Sequence, residues 1–269
     1  MQELKQQVHD FWDAMSCGEV YMSGEEEAQQ LAHQAKTRYV LEPYILDFAR
    51  FGDAAQKDAL EIGVGMGADH LELAKAHPKS LSGIDLTARA VEFTKKRLGY
   101  YGFNSNIKVS DAENLPFEDN SFDFVYSWGV LHHTPNTPKA ILEVYRVLRP
   151  GGVARIMIYH KYAIVGYMLW VRYALLSGRL SRSLNDIYSE HLESPGTKAY
   201  TVAEARTMFT KFSKVDMRVQ LSFGDLLEGE VGQKHSTGLV KLAKSVWPRW
   251  LIRSVFANHG LGLLIEARK

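Results

Sequence analysis

An apolar run that ends in a carboxylate and three alternating glycines, Leu60-Glu61-Ile62-Gly63-Val64-Gly65-Met66-Gly67, constrains this chain more than any other stretch. Glycine admits positive φ freely and lets another molecule touch the backbone. Three glycines in five positions after a strand predict a tight turn beneath a nucleotide-like ligand. Asp85 follows eighteen residues after Gly67, where the next strand is expected to end. By itself the turn is ambiguous. Gly63-x-Gly65-x-x-Ala68 also fits the dinucleotide fingerprint, with Asp85 near the position of its ribose-binding acid.

Around this turn the pattern alternates. Strands are expected at Asp58–Gly63, Leu81–Leu86, Asn106–Ser110, Phe122–Trp128 and Val153–Tyr159. Helices are expected at Ala68–Ala76, Ala88–Tyr100 and Pro138–Val147. Strands that read as nearly continuous apolar runs belong to a parallel sheet covered on both faces. Upstream, Leu4, Val8, Phe11 and Trp12 give Gln2–Met15 a helical spacing. Ser23 with Glu25–Glu27 looks like the capped start of a second helix running to about Arg50.

The alternation breaks after Tyr159. Tyr162–Leu176 is apolar with one charge, Arg172, and is too short to span a bilayer of ~18 residues or more. Thr201 and Glu204 form a capping box for a helix to Phe212. Strands are expected again at Lys214–Leu221 and Leu261–Arg268, separated by a long insertion, Gly224–His259.

The net charge of +1 hides an asymmetry. Met1–Glu143 carries 13 Lys/Arg against 22 Asp/Glu, a net of −9, and Val144–Lys269 carries 19 against 9, a net of +10. Such basic stretches attract anionic ligands, membranes or nucleic acid, or simply form solvated faces. The single cysteine, Cys17, excludes an intramolecular disulfide and a cysteine-based metal site, and fits a reducing cytosol. The N-terminus has no apolar core of the kind a signal peptide needs, so a cytoplasmic protein is expected.

Five further elements occur in order. Asp85 ends the second strand, and Asp111-Ala112-Glu113-Asn114-Leu115-Pro116-Phe117 follows the third. Ser121-Phe122-Asp123-Phe124-Val125 opens the fourth and Gly129-Val130-Leu131-His132-His133 closes it. Arg146-Val147-Leu148-Arg149-Pro150-Gly151-Gly152 precedes the fifth. Together with the glycine turn, they resemble a class I S-adenosylmethionine-dependent methyltransferase of the ubiquinone/menaquinone and small-molecule group. The match covers about Asp58–Tyr159, and dehydrogenases lack the Asp-Ala-x-x-Leu-Pro-Phe and Leu-Arg-Pro-Gly-Gly elements.

The resemblance implies a Rossmann-like α/β fold. Its seven-stranded, mostly parallel sheet would have order 3-2-1-4-5-7-6, strand 7 antiparallel, with helices on both faces and helical lid insertions. It implies one domain over 1–269: an N-terminal helical cap (1–50), a cofactor-binding core (58–159) and acceptor-side insertions (160–200 and 224–259). It also implies S-adenosylmethionine as cofactor and S-adenosylhomocysteine as product. Gly63, Gly65 and Gly67 would contact the methionine moiety. Glu61 would support that turn or reach the ammonium group indirectly. Asp85 would take the ribose hydroxyls, Leu86 would pack on the adenine, and Asp111 would accept the adenine amino proton beside Ala112. Gly129 and Trp128 would line the cofactor.

Methyl transfer chiefly needs an aligned nucleophile, and an oxygen nucleophile also needs a base, most often His. His133 is the first candidate, then His132 and His160, with Tyr159, His191 and His235 behind them, against a purely structural role for the pair. No metal ligand set is expected. The insertion places Leu239, Leu242, Ala243, Val246, Trp247, Trp250 and Leu251 among basic residues, with Pro248 to end or kink the helix. This reads as a lid packing on the core or as an interfacial helix in peripheral contact with an anionic membrane. The expected acceptor is therefore a small apolar or amphiphilic molecule, methylated at oxygen or carbon. The rivals are a tRNA/RNA methyltransferase and a non-catalytic S-adenosylmethionine-binding protein. No RNA-binding module and no strongly basic whole chain speak for nucleic acid. Nothing in the sequence marks the oligomeric state.

Overall fold

The computed structural model describes residues 2–228 and 247–269. Seven strands form one sheet: β1 (Asp58–Ile62), β2 (Ser80–Asp85), β3 (Asn106–Val109), β4 (Phe122–Trp128), β5 (Leu148–Tyr159), β6 (Lys214–Gln220) and β7 (Gly262–Arg268). Their order is β3-β2-β1-β4-β5-β7-β6, and β7 runs antiparallel to both β5 and β6. The other neighbours pair in parallel. The implied architecture is the one observed.

Every residue of β1 is buried, the apolar Ala59, Leu60 and Ile62 and the carboxylates Asp58 and Glu61 alike. Its side chains alternate between two cores. Leu60 and Ile62 join α6 (Thr137–Val147) and α9 (Val202–Met208) on one face. Ala59 joins α3 (Tyr44–Ala49), α4 (Ala68–Lys75) and α5 (Ala88–Tyr100) on the other. Two residues of the Leu-Arg-Pro-Gly-Gly region pin loops. Arg146 donates to the carbonyls of Phe117 (2.7 Å) and Leu115 (3.0 Å), and Arg149 bridges Asp58 (2.8 Å) and Asp123 (2.7 Å).

The N-terminal region differs from the expected long second helix. α1 (Gln2–Ala14) is followed by α2 (Glu27–Leu41), and α3 starts after Pro43. Glu42 before Pro43 leaves the helical region (φ −128°, ψ 60°), because a proline ring crowds the preceding residue. The Ser23 cap is not formed either: the residue before α2 is Glu26, with no side-chain cap bond. Thr201 and Glu204 do make the reciprocal capping box of α9. The apolar stretch after β5 is α7 (Ile164–Trp170), continued by a π-helical turn over Val171–Leu175. α8 (Leu184–Ile187) and α10 (Arg249–Val255) complete the α-helices among the described residues. Pro248 precedes α10, where a missing N–H costs nothing. Leu239, Leu242, Ala243, Val246 and His235 lie outside the described residues.

Candidate active site

A cavity of about 780 Å³ lies at the carboxyl ends of β1, β2, β4 and β5, roofed by α1, α2 and α7. Ligands of open α/β sheets bind at such an end, where strand order turns about β1 and β4.

The glycine turn forms its floor. Gly63, Gly65 and Gly67 have φ of 84°, 51° and 75°, the left-handed region. The three do different work. A Cβ at Gly63 would meet Val130 Cγ2 at 2.1 Å, and one at Gly67 would meet Thr94 Cα at 2.9 Å. Those two glycines let neighbouring elements close on the turn. Gly65 has nothing within 4 Å on its open side and faces the cavity. Its N–H donates to Asp85 Oδ2 at 3.0 Å, and Asp85 Oδ1 accepts from the Thr87 N–H at 3.0 Å. Burial pushes the Asp85 carboxyl up, against the pull of these backbone donors.

Leu86, Ala112, Trp128 and Gly129 line the same cavity. So do Asp111, whose Oδ1 accepts from the Glu113 N–H at 2.9 Å, and Glu61 at the root of the turn. The cofactor-side residues predicted from sequence are thus brought together around one space. One neighbour was not predicted. Lys5 of α1 reaches across to the Asp111 carboxylate and stands 3.6 Å from Glu113. Its signal was present: Lys5, Val8 and Trp12 share a helical stripe, and all three line the cavity.

The wall behind the turn is locked by buried charge. Arg38 of α2 makes a bidentate pair with Asp69 (3.0 and 2.7 Å), which also accepts from Tyr39 (2.9 Å) and Tyr126 (2.8 Å). Burial opposes ionisation of Asp69, but Arg38 and these donors hold it below its usual range. Arg97 joins the Met66 carbonyl (2.7 Å) to Gln34 of α2 (2.6 Å).

Opposite the turn, the histidine pair separates. His133 lines the cavity, and its Nδ1 lies 2.8 Å from Ser194 Oγ and 3.1 Å from Thr197 Oγ1. Its Nε2 stands 3.3 Å from Glu193 Oε2, which accepts from the Tyr159 hydroxyl at 2.7 Å. Glu193, Ser194 and Thr197 sit in an irregular loop that carries no motif, so sequence reasoning missed them. His132 is 0% exposed, packs its ring 3.9 Å from that of Tyr159, and has no hydrogen-bond partner for either nitrogen. Burial pulls it well below the ordinary imidazole range, so it is neutral. His132, His133 and Glu193 offer donor atoms within 4.8 Å of one another, a donor set of metal-ligand type. His160 lies outside the cavity lining, with Nδ1 3.2 Å from the Gly260 carbonyl. His191 also lies outside the lining and stacks on Tyr173 at 3.9 Å.

Comparison with known proteins agrees with this geometry. Residues 60–156 match the family model of the methyltransferase domain. Phosphoethanolamine N-methyltransferase 2 of Caenorhabditis elegans is 36% identical over 115 residues, 42% of this chain and 26% of that protein. Phthiotriol/phenolphthiotriol dimycocerosates methyltransferase of Mycobacterium tuberculosis is 40% identical over 101 residues, 37% of each chain. The matches therefore span about a quarter to two fifths of these relatives' lengths. Among solved structures, Haemonchus contortus phosphoethanolamine N-methyltransferase 2, in complex with phosphomonomethylethanolamine and S-adenosylhomocysteine, superposes with a TM-score of 0.62 at 18% identity. That match covers 97% of this chain and 60% of that one. The [4+2]-cyclase SpnF gives 0.55 at 17% identity, covering 100% and 92%. At these identities the structural matches establish the fold.

Fold, turn and family model define a Rossmann-like nucleotide-cofactor domain of the methyltransferase type. Residues 60–156 of this chain match a methyltransferase domain and lie within that fold. The residues present suit S-adenosylmethionine. Gly65 leaves open space over left-handed backbone, and Asp85 and Asp111 face the same cavity from the ends of adjacent strands.

Proposed function

We propose that this chain methylates a small amphiphilic acceptor at an oxygen or carbon atom, using S-adenosylmethionine and His133 as base. One observation carries the reading: Gly65, Asp85 and Asp111 share a single cavity with His133, Glu193 and Tyr159. The cofactor supplies a methyl group on a sulfonium leaving group. The protein supplies alignment and a place for the acceptor's proton. Thr197 Oγ1 donates to the Ser194 carbonyl at 2.6 Å, so its lone pair faces His133 Nδ1. With the ring proton held on Nδ1 by these hydroxyls, Nε2 takes the acceptor's proton. The Glu193 carboxylate, 3.3 Å away, stabilises the imidazolium that results. Gly65, Glu61, Asp85 and Asp111 would hold the cofactor.

The acceptor end is lined by Val165, Met168, Leu169, Leu192, Phe223 and Leu227, which suits an apolar body. Beside it, Leu176 is 77% exposed, and exposed Leu180 stands near Arg179 and Arg182 in the chain. On α10, Trp250 is 74% exposed beside Arg249 and Arg253. We assign these faces to peripheral contact with an anionic membrane from which the acceptor is drawn. No helix among the described residues is long and apolar enough to cross a membrane.

Radiolabelled methyl transfer to cell extract, separated into lipid, small-molecule, protein and RNA fractions, tests the function. Label is expected in the lipid or small-molecule fraction. Label in RNA, or none in any fraction, overturns it. Sedimentation with anionic vesicles tests the membrane contact, and failure to co-sediment removes it.

A further inference from the structure

Beneath the glycine turn a buried polar chain runs from Glu61 of that motif to residues outside it. His70 of α4 is 0% exposed and Glu61 of β1 is 2% exposed. His70 Nδ1 stands 2.8 Å from Glu61 Oε2, and its Nε2 stands 2.8 Å from Ser105 Oγ. Ser105 Oγ in turn lies 2.8 Å from the Leu81 carbonyl. The sheet makes room for the ring: a Cβ at Gly83 of β2 would meet His70 Cε1 at 2.8 Å.

The end of this chain fixes where the protons are. A carbonyl oxygen only accepts, so the Ser105 hydroxyl spends its one proton on Leu81. Ser105 Oγ therefore turns a lone pair to His70, and Nε2 must carry a proton. A neutral imidazole protonated at Nε2 has a bare Nδ1. Two lone pairs do not meet at 2.8 Å, so one more proton lies between Nδ1 and the Glu61 carboxyl. The pair carries no net charge, whichever atom holds that proton.

We propose that His70 is a positioning residue for the cofactor: it takes up the Glu61 proton at Nδ1, so that Glu61 can present a negative charge to the cofactor's cationic methionine end without proton release to solvent. This rests on the cofactor reading above. In the step, the Glu61 O–H bond breaks and the His70 Nδ1–H bond forms, and the proton count of the protein is unchanged. The charged groups facing Glu61 are Asp69 beside His70 on α4, Asp85 at the end of β2 and Arg38 of α2. Asp69 and Arg38 are bonded to each other, so they largely offset. Burial pushes Glu61 well above the carboxylate range and pulls His70 down to about 3. In the free protein the proton therefore rests on Glu61. An arriving cation favours the carboxylate and reverses the balance.

Calorimetric titration with S-adenosylhomocysteine, which keeps the ammonium group, in buffers of different ionisation enthalpy counts the protons exchanged. The wild type should exchange close to none between pH 6 and 8, with less than about twofold change in affinity. In His70→Gln the Glu61 proton has nowhere to go but solvent. About one proton should be released and affinity should rise by up to about tenfold per pH unit. Ser105→Ala, which frees the tautomer with a smaller change, should fall between the two. Nitrogen-15 NMR of His70 in the free wild type should show a proton on Nε2, and after addition of S-adenosylhomocysteine a proton on both nitrogens. A proton on Nδ1 alone in the free protein, release of about one proton by the wild type, or equal proton counts in wild type and both variants would each overturn the proposal. Absence of any S-adenosylhomocysteine binding by the wild type would instead overturn the cofactor reading, and this role with it.

Discussion

The two sides of the cavity are built by different means. On the side assigned to the cofactor the wall is largely backbone and short motifs: Gly65, Asp85, Asp111 and Gly129 all lie at a strand end or within three residues of one. Their positions are set by hydrogen bonds such as Gly65 N–H to Asp85, and by pins such as Arg146 on the Leu115 and Phe117 carbonyls. On the side proposed for the acceptor the wall is side chains from separate segments: Val8 and Trp12 of α1, Tyr44 of α3, Leu169 of α7, and Glu193 and Phe223 of irregular loops. A ligand of constant chemistry demands a fixed backbone. Recognition by packed side chains tolerates exchange of one apolar residue for another.

The largest effects should come from the glycine turn, and they separate ligand contact from packing within one motif. Gly67→Val places a branched side chain against the α5 backbone at Thr94 and should abolish folding, read as loss of a cooperative thermal transition. Gly65→Ala meets nothing, so it should fold at a cost of about 1–2 kcal/mol for its left-handed backbone. Its methyl group then fills the floor of the cavity. S-adenosylhomocysteine affinity, measured by calorimetry, should fall by about 10–100-fold from overpacking against the ligand. Normal affinity in Gly65→Ala would remove the turn from the binding surface.

The same contrast explains what was legible in the sequence. The strand order and the cavity-lining places of Asp85, Asp111, Trp128 and Gly129 are what the family resemblance implied, and the motifs that carry it were legible because backbone constraints leave fixed residue types at fixed spacing. The break of the expected long second helix at Pro43 was written in the sequence as well, and the proline outweighs the apolar spacing around it. Glu193, Ser194 and Thr197 were not legible. They reach His133 from 60 or more residues away, through a loop whose path depends on the packing of Tyr188 and Ala199. For Lys5 the helical stripe was legible but the contact was not: a lysine on an otherwise apolar stripe reads as a residue that reaches solvent.

The two histidines are adjacent in sequence and opposite in use. His133→Asn should lower methyl transfer by about 10²–10⁴-fold, the usual contribution of a positioned base, with S-adenosylhomocysteine affinity unchanged. Equal turnover in the variant would remove the base. His132→Leu removes two buried nitrogens that have no partner, and an unsatisfied buried polar group costs about 1–3 kcal/mol. The variant should be at least as stable as the parent at pH 8. Below that pH the difference should grow. Burial keeps His132 unprotonated in the folded chain, whereas the unfolded chain binds the proton below about pH 6.5. Stability is therefore lost as pH falls under that value, by up to about 1.4 kcal/mol per pH unit. Removing the ring removes that loss, so the gain in melting temperature should be larger at pH 5 than at pH 8. A gain that is equal at both pH values, or a loss at both, would show that His132 is packed with a partner.

The smallest expected effect lies where the two sides touch. Lys5 belongs to the roof, yet its ammonium group occupies the face of Asp111 that the adenine amino group is proposed to use. Binding must replace one donor to Asp111 with another. Both side chains are about a third exposed, and an ion pair in that setting contributes about 0–1 kcal/mol. Lys5→Met keeps the apolar stem that covers the cavity and removes the competing charge. Affinity for S-adenosylhomocysteine should rise by no more than about fivefold. The rise should shrink with added salt, which already screens the parent's ion pair. A fall in affinity would give the opposite lesson: the lysine would then be a cofactor contact, and the roof would share in donor binding as well as in covering the acceptor.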